Sequence, residues 1–342
     1  MYFCLKNLIM LRFLAVFSSL FILASCASNY LDIDAEDQNV SIDFIQLDSL
    51  MFKADSKERL ALHQSMQSQI PDLYEYNLAY CLKFRGMQDS IFTSSIQQFY
   101  SDPYINKLEQ RLSKQFNNTQ TFKVGIIDGF KHLKYHFPKG KIPSAVVFMN
   151  SLFTANAFCS ETEIGIGLER YLPMKTDVIQ QLPPDQFYNW IKEGFDERYI
   201  VRDALCSWVM THYVDEVKGN LIENCIYWGK ILYLTKAALP ELSDALLLRY
   251  SDKDFNWALE NESQLWNYLV KDKVLFKIDE RMIRNLISEG PFSVGLPEEG
   301  PDRLGQFLGY RIVQKYMEIE QIPLNELLNK SYTDILVEYE ID

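Results

Sequence analysis

Histidine is scarce in this chain, four among 342 residues, and none is followed by glutamate. The His-Glu-x-x-His helix of a zinc peptidase is therefore missing, because that chemistry needs two imidazoles and a carboxylate at fixed spacing. A serine-hydrolase elbow is absent too: Ser293, in "GPFSVG", has Pro291 rather than glycine two residues before it. Cysteines never fall as C-x-x-C. No Gly- or Pro-rich linker follows Asn39 and no internal repeat appears, which argues for one domain. Positive charge is also short, with 34 Lys and Arg against 46 Asp and Glu. A pI near 5.0 excludes the basic footprint of a nucleic-acid binder and any patch drawn to anionic lipid.

What is present starts near the amino terminus. Leu11 to Ala24 is mostly Leu, Phe, Ala and Val, shorter than the roughly 20 residues of a membrane span. Lys6 and Arg12 lie at its start and no acidic residue precedes Cys26, the layout of a secretory signal. Its exit, Leu23-Ala24-Ser25-Cys26, reads as a lipobox: an aliphatic residue, two small ones, then a cysteine to be acylated. The expected organisation is a signal peptide over 1–25, lipid on Cys26, an acidic tether over 26–39 with Asp32, Asp34, Glu36 and Asp37, and a globular domain over 40–342. Loss of Lys6 and Arg12 takes the net charge from −12 to −14. Attachment is then expected from acyl chains, two or three of which hold a protein to a bilayer where one does not. No acidic residue follows Cys26 directly, which points to the outer membrane, facing the periplasm.

Periodicity predicts an α+β protein, mainly helical, wrapped around a small meander of strands. Val40 to Phe52 reads as a short strand or extended lead-in. Asp55 with Glu58 reads as a capping box opening a helix to about Ser68, and Asp102-Pro103 as the start of another. Further helices are expected over Val124 to His136, Glu197 to Tyr213, Leu221 to Ala238, Asp254 to Val274 and Asp302 to Met317. Between Pro143 and Leu168, "SAVVFMNS", "TANAFCS" and "EIGIGLE" predict the strands.

Candidate sites are few. His132 and His136 have the i, i+4 spacing of a zinc pair, but Leu133 stands where the general base belongs and no third ligand follows. "GIGLER" has two glycines of a dinucleotide fingerprint and Arg170 in place of the third. Asp32 to Asp37 lacks the turn glycine of a calcium loop. Cys81, Cys159, Cys206 and Cys225 suffice for up to two disulfides in an exported protein, though a chain of this length builds a core without them. Gly305 and Gly309 leave one strip of a helix without side chains. The strip implies either close packing of another element or a groove for a partner or ligand, with Arg303 and Arg311 as its polar groups.

Together the lipobox, "VSIDFIQLDSLMF", "TANAFCSETEIGIGLERYLP", "GKILYLTKAALP", "WNYLVKDKVLF" and "GPFSVGLPEEGPDRLGQFLGYRIVQKYM" resemble the gliding-motility lipoprotein GldB family of Bacteroidetes over nearly the whole mature chain. The resemblance implies an envelope lipoprotein associated with the gliding apparatus and its coupled secretion machinery, with those proteins as partners and with no cofactor. The same blocks look distantly like zinc peptidases whose metal helix would fall at Tyr199 to Val217. Only His212 lies there, and Glu223 would echo a third-ligand glutamate. The resemblance thus implies a zincin-like scaffold without its metal centre and a non-enzymatic role. Its alternatives are an envelope lipoprotein binding peptide or glycan outside motility, and a degenerate peptidase with residual hydrolysis.

Acylation is directly testable. Metabolic labelling with a palmitate analogue should mark the native protein and leave a Cys26→Ser variant unmarked; an unmarked native product would refute the anchor.

Overall fold

In a computed structural model the described residues are 31–271 and 273–339; Cys26, the signal peptide and the start of the tether lie outside them. The chain divides after Ile33, and the account below concerns the body from Asp34 onward.

The lead-in to the body is half strand and half helix. Strand β1, Asp43–Gln46, passes directly into helix α1, Leu47–Lys53. Asp55 then caps α2, Ser56–Gln69, accepting from the amides of Lys57 and Glu58 while Glu58 accepts from the Asp55 amide, as the capping-box spacing predicts. Asp102 likewise caps α3, Pro103–Gln115, with proline at its first turn. Helix α4 runs Gln120–His136. After Gly167 the chain is helical again, with α5 at Ile200–His212, α6 at Leu221–Ala238 and α7 at Leu304–Glu320. The stretch expected as one helix from Asp254 to Val274 is two, Asp252–Glu260 and Glu262–Lys271. Among the described residues no helix is long and apolar enough to cross a membrane.

The predicted meander is corrected by the pairing. Strands β2 (Ala145–Met149), β3 (Ala157–Cys159) and β4 (Glu163–Gly167) join β1 in the order β1-β2-β4-β3. The β1-β2 and β2-β4 pairs are parallel and only β3-β4 is antiparallel. Every residue of β2 and β4 is buried, without the in-out alternation that a one-sided antiparallel meander requires. Ala145, Val147 and Met149 face a cluster with Met66, Ile70, Leu73, Tyr74 and Phe92, while α5 packs on β3 and β4. Strand β4 tolerates the close overlay because Gly165 leaves room for the Phe158 ring.

Helix α6 is apolar on nearly all sides, as a helix at the centre of a core must be, and its main neighbour is α7. Here the backbones touch: a Cβ on Gly309 would overlap the carbonyl of Cys225, and one on Gly229 would overlap the carbonyl of Gly309. Gly305 similarly faces the Cys225 sulfur and the Leu286 carbonyl. Glycine in a helix interior costs about 1 kcal/mol relative to alanine, and the apolar burial gained by this approach offsets it.

Gly309→Ala should therefore lower stability by about 1–3 kcal/mol, the usual cost of overpacking, measured as a reduced thermal midpoint. An unchanged midpoint would mean that the helices do not approach this closely.

Candidate functional site

Four of the residues singled out from the sequence, Arg303, Gly305, Gly309 and Arg311, do not form one surface. The glycine strip is filled by α6, so it is a packing seam. Arg311 points elsewhere and pairs with Glu262 at 3.1 Å. Arg303 lines a cleft of about 950 Å³ together with Arg170, Arg249, Trp190 and Glu289. A second cavity of about 610 Å³ shares Trp190, Arg249, Glu289 and Arg303, and adds Asn156, Arg202 and Asp203.

Helix α5 supplies the base of this site. Asp203 is buried, and four polar side chains converge on it. Arg202 Nη1 donates to Oδ1 at 3.0 Å, while the Tyr171 hydroxyl at 3.0 Å, Asn156 Nδ2 at 3.3 Å and Arg249 Nη1 all donate to Oδ2. Burial alone would raise its pKa; Arg249 and Arg202 overcome this and hold the carboxyl below its usual range. Arg249 is held charged by the same contact, against the effect of its own burial.

Three of the arginines lining the cleft share one unusual feature, and two of those three share a second. Each guanidinium lies over an aromatic ring: Arg170 over Phe195 at 5.1 Å, Arg249 over Tyr199 at 4.3 Å and Arg303 over Tyr250 at 5.6 Å. Such stacking fixes the plane of the fork as well as its charge. Arg249 and Arg303 also have left-handed backbones, with φ of 57° and 52°, a conformation costing a non-glycine residue about 1–3 kcal/mol. They are adjacent, with Arg303 Nη2 donating to the Arg249 carbonyl at 3.3 Å. Because Arg303 cannot cap α7, the buried hydroxyl of Ser293 accepts from the Leu304 amide at 3.2 Å. Ser293 is therefore a capping residue.

Asp302 neutralises Arg303 at 3.0 Å, and Glu289 lies 3.8 Å from it. Arg170 has only neutral partners, Asn156 Oδ1 at 2.6 Å and the Phe153 carbonyl at 3.2 Å. Among the described residues no carboxylate lies within ion-pair distance of it.

The other sequence candidates are dispersed. His132 bonds the Asp128 carbonyl at 2.8 Å. His136 is held neutral by burial, its pKa lowered to about 4. His212 bonds the Ser160 carbonyl at 3.1 Å and lies against Trp208. Glu223 completes a capping box with Asn220 at the start of α6, so its apparent echo of a third metal ligand is corrected to a capping role. Among the described residues no group of three or more His, Cys, Asp or Glu is placed to hold a metal ion. Cys81, Cys159, Cys206 and Cys225 are free thiols. Of the tether, Ala35 is buried in the body and the Asn39 carbonyl accepts from Lys134 Nζ at 2.6 Å.

Composition concealed a second polar cluster. Asp48, Glu109 and Glu169 are buried together around the loop after β2, each with one oxygen lacking a partner. Glu169 accepts from the amides of Ser151 and Phe153, both at 2.8 Å, and so braces a loop in which Leu152 and Phe153 both have positive φ. Asn150 Nδ2 donates to Glu109 at 2.9 Å. Desolvation pushes Asp48 up to about 7 and Glu109 up to about 8, and raises Glu169 as well.

A family model for gliding motility protein GldB matches residues 28–340. No curated protein and no solved structure matches the chain.

The raised carboxyls make the folded protein bind more protons than the unfolded chain, whose carboxyls titrate near 4. Their stabilisation is full below that value and is lost as pH rises through about 7 and 8. The neutral His63, His136 and His212, with lowered pKa values, oppose this only below about 6.5. Stability should thus fall between pH 6.5 and 8.5, by up to about 1.4 kcal/mol per pH unit per group, read as a falling thermal midpoint, and Glu109→Gln should flatten the decline. A native midpoint that is level or rising across this interval would contradict the assignment.

Proposed function

The chain belongs to the gliding motility protein GldB family, and from that premise we propose that it is a lipid-anchored component of the gliding apparatus that works by binding other envelope proteins. The observation that carries this reading is the family match over residues 28–340, which begins two residues after the lipobox cysteine. Cys26 would carry the acyl chains and hold the body at the periplasmic face of the outer membrane. The acidic surface suits this arrangement, because it leaves the lipid to make the attachment.

A binding role is supported by the chemistry of the cleft. Its arginines are paired to carboxylates or braced by backbone carbonyls, and three of them, Arg170, Arg249 and Arg303, are stacked on rings. Such a surface recognises a partner by complementary charge and shape. Neither His212 nor Glu223 is free for catalysis, since the first is bonded to the Ser160 carbonyl and the second caps α6. In this reading the scaffold is a pseudoenzyme and the partners are other gliding or secretion proteins.

Deleting the gene should abolish or severely reduce colony spreading, and a plasmid copy should restore it. A Cys26→Ala copy should restore it poorly, because the body would no longer be held at the membrane. Normal spreading by the deletion strain would overturn the motility role.

A further inference from the structure

Carboxylates outnumber cations in the lining of the arginine cleft as a whole, but its floor is built of guanidinium groups and one of them has no carboxylate within ion-pair distance among the described residues. Four guanidinium groups, Arg170, Arg202, Arg249 and Arg303, share Asp203, Asp302 and the half-exposed Glu289. The unpaired one is Arg170, whose partners are an amide oxygen and a backbone carbonyl. A buried or half-buried cation without a counter-ion is costly, and here it faces a cleft large enough for a ligand.

The rim has the opposite sign. Glu193, Asp252, Glu298 and Glu299 line the same cleft and are exposed, with Lys253 as an exposed cation among them and Arg198 paired to Asp196. A dianion such as a phosphate monoester would match the floor but meet repulsion at the rim. A monoanion carrying its own cation a few ångströms away satisfies both.

We propose that the cleft floored by Arg170, Arg249 and Arg303 binds the free carboxyl terminus of a peptide with a basic residue at or next to its end. The carboxylate accepts from the fork of Arg170, and the basic side chain reaches the acidic rim. Trp190, which lines both cavities, lies where the preceding residues of the peptide pass. Strain at Arg249 and Arg303 is consistent with this use, because left-handed non-glycine backbones persist where side-chain placement matters. The inference goes beyond the motility role and does not depend on it, since it concerns binding by the purified protein.

The test uses the full chain purified from membranes in detergent. Binding is followed by calorimetry and by tryptophan fluorescence, with pooled pentapeptides randomised at the first four positions and ending in lysine. The free-acid pool should bind, and the same pool amidated at its terminus should bind about tenfold more weakly or worse, the loss expected for a charged hydrogen-bonded pair. Arg170→Ala should reproduce that loss and Arg170→Lys should recover part of it, both measured well below the thermal midpoint of each variant so that the folded proteins are compared. A Glu298→Gln, Glu299→Gln double variant should erase the preference for lysine-ended over alanine-ended pools. Equal binding of acid and amide pools by the native protein would overturn the proposal, whatever the variants do. So would binding of inorganic phosphate alone, or of no pool at all.

Discussion

Helices α6 and α7 meet backbone to backbone at Gly229 and Gly309, and the placement of one wall of the cleft follows from that contact. Once Gly229 and Gly309 lie against opposing backbone, α7 has no freedom to slide or rotate, because any shift would drive a carbonyl into a Cα. The residue before α7 is Arg303, so the seam also fixes where that guanidinium enters the cleft. Adjacent Asp302 accepts from the Gly290 amide at 3.0 Å, which ties the loop after Glu289 to the same point. The seam therefore acts on function at a distance: it holds a rigid helix whose first turn is one wall of the site.

The opposite wall depends on burial of charge. Asp203 is enclosed by two arginines, a tyrosine hydroxyl and an asparagine amide. An ion pair of this kind adds little net stability relative to apolar packing, but losing one member leaves the others buried and unpaired. What it contributes is placement. Arg249 is held by Asp203 on one side and by the Gly194 carbonyl at 2.7 Å on the other, which offsets its left-handed backbone.

The two polar clusters are mechanically joined. Glu169 braces the loop containing Phe153, and the Phe153 carbonyl accepts from Arg170, the next residue in the chain after Glu169. Protonation of the carboxyl cluster and the orientation of Arg170 therefore act on the same short segment. Desolvation is the common cause: it raises the carboxyls of Asp48, Glu109 and Glu169, and it gives Arg170 its need for a partner.

Local chemistry was legible wherever it was local. The Asp55 and Asp102 caps, the bounds of α6 and the strand segments after Pro143 follow from spacing that the neighbouring residues enforce. The family was legible too, because its blocks are contiguous stretches. Strand order was not, since β1 reaches β2 only after about a hundred intervening residues, and nothing in "SIDFIQ" names its neighbour. The cleft arginines were hidden for the same reason. Arg170, Arg202, Arg249 and Arg303 come from four separate segments. Their one sequence signal was charge inside apolar runs, as in "IVRDALCSWV" and "ALLLRY". The sequence by itself determined the capped helix starts and the span of α6, because those depend on residues within a few positions of each other. Only the tertiary structure decided that a bare glycine strip is a seam rather than a groove and that four distant arginines share a cleft, because both depend on what the fold brings to the far side of each residue.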